Sequence, residues 1–130
     1  GLTDLLSAEG FAREVRLQNA PAIRRAVDIL EQERCWDISE TEMADRVHLS
    51  PAHFCRTFHQ VMDRTFKTHV TALRIRAAQT LLHQTDTPVG DIGQRCGFSR
   101  ASYFARRFRE VTGMSPTEYR NYRRITEGED

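Results

Sequence analysis

The 130-residue sequence predicts an all-α protein: two helix-turn-helix subdomains joined by a long connecting helix, about seven helices in all. Three observations predict this. No alternating apolar/polar run is long enough for a strand, whereas apolar residues recur at helical spacing along most of the chain. Helix starts are marked by Ser-Pro, Thr-Pro and capping-box signals. Finally, one short pattern occurs twice, 50 positions apart: Phe54-x-Arg56-x-Phe58-x-x-Val61 and Phe104-x-Arg106-x-Phe108-x-x-Val111. On a helix the Phe, Phe and Val at i, i+4 and i+7 share one face, and the Arg points roughly the opposite way. Each copy therefore buries an aromatic stripe while displaying a guanidinium.

The elements follow in order. Residues 1–20 read as a linker or the tail of a preceding domain; Leu2, Leu5 and Leu6 suit a short helix broken at Gly10, and Phe11 pairs with Val15 at i+4. Asn19 and Pro21 open the first helix of the main body, with a stripe of Ile23, Val27 and Leu30. Trp36 reads as a hydrophobic staple onto that helix, ahead of the capping box Ser39 and Glu42 and the apolar Met43, Ala44 and Val47. Ser50 then caps, and Pro51 begins, the first Phe-Arg-Phe helix, completing a first subdomain over 21–65.

Phe66, Val70, Leu73, Ala77 and Leu81 mark the connecting helix, 66–84. Thr87-Pro88 starts a short helix carrying Ile92 and stopping around Gly97. Ser99 or Arg100 begins the second Phe-Arg-Phe helix, which Gly113 closes as a left-handed cap. Ser115-Pro116-x-Glu118 launches a last helix through Tyr119 and Tyr122, ending a second subdomain over 85–126. The acidic end, Glu127 to Asp130, is expected to fray.

Composition narrows the classes. A hydrophobic share of 39% with 7 glycines and 4 prolines suits a packed chain. No apolar run approaches membrane-spanning length and no signal peptide is visible; Gly1 in place of Met is expected of a processed or excised chain. The formal charge of +1 hides a partition. Residues 28–45 carry seven acids against Arg34 alone, while residues 95–124 carry eight arginines against Glu110 and Glu118. Residues 56–76 add Arg56, Arg64, Lys67, Arg74 and Arg76 against Asp63. Such segregation suits a basic surface that meets a polyanion. The three cysteines, Cys35, Cys55 and Cys96, form no C-x-x-C pair and read as reduced thiols of a cytoplasmic protein. Cys55 is expected to face outward as a spectator and Cys96 to be packed. The five histidines are scattered, so no metal site or cofactor is expected. There is no nucleophile-base motif and no Gly-rich phosphate loop, so an enzyme is not expected.

Each half reads as short helix, tight turn and capped helix. Ala44 and Gly93 are the matching small residues where paired helices approach closely, Leu49 and Phe98 the matching turn residues, and the second turn is one residue longer. In a helix-turn-helix the second helix lies in the DNA major groove with its N-terminal part at base edges. The outward positions are the expected base contacts: Ala52, Cys55, Arg56 and His59 in the first copy, Ala101, Ser102, Ala105 and Arg106 in the second. Arginine carries most weight because its fork bonds O6 and N7 of guanine together; alanines can touch a thymine methyl. Ser50 and Ser99 at helix N-termini, with Arg95, Arg100, Arg107 and Arg109, are the expected phosphate contacts. Arg120, Arg123 and Arg124 on the last helix read as solubilising or core-flanking.

The stretch 91–120, DIGQRCGFSRASYFARRFREVTGMSPTEYR, resembles the signature of the AraC/XylS family of bacterial transcription regulators. The earlier stretches LSPAHFCRTF (49–58) and LRIRAAQTLL (73–82) fit that family's first recognition helix and connecting helix. The resemblance covers about residues 22–124. It implies two recognition helices in successive major-groove segments on one DNA face, about 34 Å apart. It also implies transcriptional control, more commonly activation, with double-stranded DNA and RNA polymerase as partners, no membrane, and an effector-binding or dimerisation domain outside this chain. Two departures stand out. Asp63 occupies a place where many first units have a glycine like Gly113, which would alter how that helix ends; Ala101 and Ala105 leave Ser102 and Arg106 carrying more of the second half-site. A second reading from the residues alone stays open: a helical protein-interaction module whose basic face docks an acidic partner.

Overall fold

The computed structural model describes residues 20–34 and 36–128. Among them are seven helices and no strand: α1 (Pro21–Glu33), α2 (Glu40–Arg46), α3 (Pro51–Met62), α4 (Phe66–Gln84), α5 (Val89–Arg95), α6 (Ala101–Thr112) and α7 (Pro116–Gly128). The expectations for Leu2, Leu5, Leu6, Phe11, Val15, Asn19 and Cys35 lie outside the described residues. The chain divides into two compact units between Val70 and Thr71, inside α4.

In the first unit, Pro21 pre-sets φ at the start of α1, and Ile23, Ala26 and Leu30 are buried. Val27, expected in that stripe, is only half-buried: the helix turns Ala26 inward, where its lack of bulk lets the partner helix approach. Ser39 accepts a hydrogen bond from the Glu42 N–H at 3.1 Å and donates its own hydroxyl to the Glu42 carboxylate at 3.2 Å, so the box that opens α2 is formed. The residue just before this cap is Ile38, so the staple position belongs to Ile38 rather than to Trp36, which is half-buried two residues earlier. Arg46 grips Glu33 through two hydrogen bonds, at 3.0 and 2.7 Å, tying the end of α2 to the end of α1. That bidentate partner holds the Glu33 carboxyl below the usual range.

Ser50 accepts from the His53 N–H at 3.2 Å and Pro51 occupies the first helical position of α3. Phe54, Phe58, Val61 and Met62 face inward. The two rings meet Phe66 edge-on at 5.3 and 5.4 Å, and Phe58 also meets His69 edge-on at 5.6 Å. Offset and edge-on ring pairs at this spacing add to plain area burial.

The second unit repeats this plan. Phe104 and Phe108 of α6 are buried and Tyr119 of α7 meets Phe108 edge-on at 5.4 Å, as His69 meets Phe58. Thr65 accepts from the Thr68 N–H, and Ser115 from the Glu118 N–H, both at 3.1 Å, starting α4 and α7 alike. One expected position breaks the symmetry: Val61 is 7% exposed, Val111 51%. In α6 only the aromatic pair joins the second core, and the last apolar residue of the stripe is left on the surface.

The connecting helix departs most from expectation. Phe66 and Val70 are buried, but Leu73, Ala77 and Leu81 are only half-buried; Ile75, Ala78 and Leu82 join the core of the second unit, with Ala77 and Leu81 packed against its edge. Ile-x-x-Ala-x-x-x-Leu is the spacing that α1 buries as Ile23, Ala26 and Leu30. So α4 supplies the second unit with its counterpart of α1, from a different face than its own first turns use.

The ends of the two Phe-Arg-Phe helices are alike despite their residues. Asp63 adopts φ 61° with its N–H bonded to the His59 carbonyl at 2.9 Å; Gly113 adopts φ 85° with its N–H bonded to Arg109 at 2.8 Å. The expectation that Asp63 alters the helix end is therefore corrected: the left-handed cap forms anyway, at the steric cost of a Cβ. His48 likewise sits at φ 62° where the second unit has Gly97 at φ 99°. Replacing both His48 and Asp63 by glycine is expected to raise stability by about 1 kcal/mol. Urea unfolding checks it, and an unchanged or lower midpoint would contradict the strain assigned to these two residues.

Candidate nucleic-acid interface

Each unit presents one helix on a two-helix support, and the support is built the same way twice. At the end of α2, the Leu49 N–H bonds to the Ala44 carbonyl at 2.9 Å and the His48 N–H to Asp45 at 3.1 Å. At the end of α5, Phe98 bonds to Gly93 at 2.9 Å and Gly97 to Gln94 at 3.1 Å. Phe98 fills its corner, 3% exposed, whereas Leu49 is only half-buried. A Cβ at Gly93 would lie 2.7 Å from Cδ2 of Phe104, so α5 and α6 touch through that missing side chain. One extra residue, Ser99, then precedes α6. Its cap is Arg100 in extended conformation with no side-chain hydrogen bond, not Ser99, because the longer turn carries the serine one position too early to reach the first helical N–H groups.

With the aromatic stripes inward, the expected base-contact residues of α3 fall on its outer side. Ala52, Arg56 and His59 are exposed. Cys55, expected outward, is half-buried, and its thiol donates to the Glu40 carboxylate at 2.5 Å. That bond, then burial, pushes the Cys55 thiol up from its ordinary value, so it is held in the protonated, unreactive form. Cys96 is buried as expected, which raises its thiol likewise. On α6, Ala101, Ser102 and Arg106 are exposed and Ala105 is half-buried. Both outward arginines are thus at the surface, on equivalent turns of equivalent helices.

The surrounding charges differ. Among the described residues Arg56, Arg95 and Arg100 are exposed with no carboxylate partner. Arg107 binds Glu110 at 2.5 Å, the Nε of Arg106 lies 4.0 Å from the same carboxylate, and Arg109 lies 3.8 Å from Glu118. Pairs this exposed contribute about 0–1 kcal/mol each. Arg106 also holds its Cζ over the Tyr103 ring, 5.4 Å from the centroid. Sequence reading passed over Tyr103 and Glu110, although their spacing from Arg106, i−3 and i+4, was legible. Ser50 is committed to its own helix as an acceptor but keeps its O–H for a phosphate; Ser99 is exposed beside Arg100.

Of the two roles expected of Arg120, solubilising or core-flanking, the structure shows the second. Its Nε donates to the Leu82 carbonyl at 3.1 Å and its Nη2 to Thr85 and Thr87 at 3.2 and 2.6 Å. Arg124 adds a bond to the Thr85 carbonyl at 3.0 Å and an ion pair with Asp86. Together they satisfy the carbonyls at the end of α4 and the approach to α5. Among the described residues no cluster of His, Cys, Asp or Glu could hold a metal ion, and no helix is long and apolar enough to cross a membrane.

An all-α domain with two short helix, tight turn, capped helix units, each exposing an arginine above an aromatic core, is a helix-turn-helix DNA-binding domain. A helix-turn-helix domain family model matches residues 43–122, and the chain belongs to the AraC/XylS family of transcription regulators. A transcriptional regulator with an AraC-type DNA-binding domain from Chromobacterium violaceum shares 28% identity and superposes with a TM-score of 0.73 over 82% of this chain and 95% of that one. The DNA-binding domain of AdpA, solved in complex with a target DNA, gives 25% identity and a TM-score of 0.76 over 83% and 97%. The bifunctional transcriptional activator/DNA repair enzyme AdaA of Bacillus subtilis is 34% identical over 85 residues, 65% of this chain and 40% of AdaA. The chain thus spans less than half the length of that relative.

Proposed function

We propose that this chain binds double-stranded DNA in a sequence-specific manner to regulate bacterial transcription, as an activator, with α3 and α6 as recognition helices in successive major-groove segments. The observation that carries the reading is the pair Arg56 and Arg106: exposed, at equivalent positions of a scaffold built twice. The domain division 21–65, 66–84 and 85–126 serves the same reading, as two reading heads on one connecting helix. AdpA's capture of a target DNA on a similar fold supports it.

In this reading Arg56 and Arg106 fork onto guanines, Ala52, His59, Ala101 and Ser102 touch neighbouring base edges, and Cys55 and Ala105, half-buried, contribute least. Ser50, Arg95, Ser99, Arg100, Arg107 and Arg109 hold the phosphates. RNA polymerase is the partner through which activation is exerted, and a further domain of the regulator supplies an effector or dimerisation signal. The setting is cytoplasmic, and the domain itself catalyses nothing.

Selection of bound duplexes from a random pool should return a defined two-part site. Arg56→Ala and Arg106→Ala are each expected to relax base preference at one part by about 1–3 kcal/mol while the melting temperature holds. Binding should weaken steeply with salt, as each neutralised phosphate releases counterions. Equal retention of all duplexes, with an acidic protein bound across residues 95–124 instead, would favour the protein-interaction reading.

A further inference from the structure

We propose that Tyr103 and Glu110 are positioning residues for Arg106, so that the second half-site is read by a pre-organised arginine and the first by one without such supports among the described residues. This rests on the reading of α6 as a recognition helix.

An arginine has many rotamers, and ordering them at a base edge opposes binding. Arg106 is already restrained on two sides. Its Cζ lies 5.4 Å from the Tyr103 centroid, within cation–π range, and its Nε lies 4.0 Å from Oε1 of Glu110. The ring is the firmer of the two supports. The half-buried Tyr103 ring leans on Phe98 at 5.9 Å, and Phe98 is itself buried at the turn. Glu110 is fastened by Arg107 at 2.5 Å. The carboxylate contact is made through Nε, and the side chain stays 68% exposed. Its two terminal nitrogens are left to form the fork that addresses O6 and N7 of guanine.

The first unit lacks this arrangement. The positions matching Tyr103 and Glu110 are His53 and Gln60, and among the described residues no ring or carboxylate pairs with Arg56. One scaffold therefore holds two arginines in different states of order. Since a restrained arginine loses less freedom on forming its bonds, the base facing Arg106 should be discriminated more sharply than the base facing Arg56.

The test uses the intact chain and a duplex recovered by selection from a random pool, with variants of that duplex mismatched at each half-site. Tyr103→Leu and Glu110→Gln are each expected to shrink the matched-to-mismatched affinity ratio at the Arg106 base by about three- to tenfold. The ratio at the other half-site should not move, and Tyr103→Phe, which keeps the ring, should retain the parental value. In an Arg106→Ala background both substitutions should be silent, which a merely structural role would not produce. Conversely, His53→Tyr with Gln60→Glu should raise discrimination at the first half-site. If Arg106→Ala relaxes its base while Glu110→Gln and a stably folded Tyr103→Leu do not, the positioning role is refuted and the recognition-helix reading survives. If Arg106→Ala leaves preference intact, that reading fails first.

Discussion

Gly93→Val is expected to lower the unfolding free energy by about 3 kcal/mol or more, and with it all binding that depends on α6. The warrant is geometric. Even the first carbon of a side chain at this position would stand 2.7 Å from Cδ2 and 3.0 Å from Cγ of Phe104. Those atoms are the root of a ring that is 1% exposed and wedged against Phe98 at 5.0 Å and Phe108 at 5.8 Å, so it cannot swing aside. Helix α6 must lift from α5, or the ring must leave its rotamer. Gly93→Ala should cost less, because alanine's better helix propensity returns about 1 kcal/mol. The first unit already carries a methyl at the matching Ala44, so Ala44→Gly should lose only about 1 kcal/mol. Urea unfolding of the three variants checks the ordering; a Gly93→Val protein as stable as the parent would show that the two helices are not in the contact described.

Arg120→Met is expected to cost about 2–3 kcal/mol, since three carbonyls lose a charged donor at once. Methionine keeps the apolar stem, so the loss isolates the hydrogen bonds from packing. The carbonyls of Leu82, Thr85 and Thr87 lie where α4 gives way to α5, a stretch whose own N–H groups cannot satisfy them. Lysine should rescue only part, because an ammonium cannot spread its donors as a planar fork does. A drop below about 0.5 kcal/mol would mean that water replaces the guanidinium without penalty. This substitution also separates support from readout: Arg120 bears a charge in the basic segment, yet its removal should act through stability rather than through base preference.

How much of this was legible beforehand follows from the range of each signal. The starts of α2, α3 and α7 were visible because a cap acts over three residues: Ser39 with Glu42, Ser50 with His53, Ser115 with Glu118. The inward Phe pairs and outward arginines were visible because helical periodicity acts over seven. Where a single residue of loop length intervened, at Ser99, the cap was legible only as Ser99 or Arg100, and the structure takes Arg100.

The connecting helix shows the limit. Its apolar residues offer more than one plausible stripe, and propensity cannot choose between Leu73, Ala77 and Leu81 on one side and Ile75, Ala78 and Leu82 on another. Packing against Ile92, Cys96 and Phe98 chose the latter. Cys55 turned partly inward for the same kind of reason, because Glu40 on the preceding helix offers an acceptor. The Arg120 bonds reach 33 to 38 residues back along the chain. No spacing rule announces such a partner.

The amino-acid order alone determined the all-helical class, the duplication and the two arginines held away from their cores, since each rests on residues within one or two turns of one another. Which face α4 buries, which arginine braces the fold and which rests on a tyrosine were decided only when distant segments met. Those choices depend on shape and on unsatisfied polar groups brought together by folding, and neither exists in the extended chain.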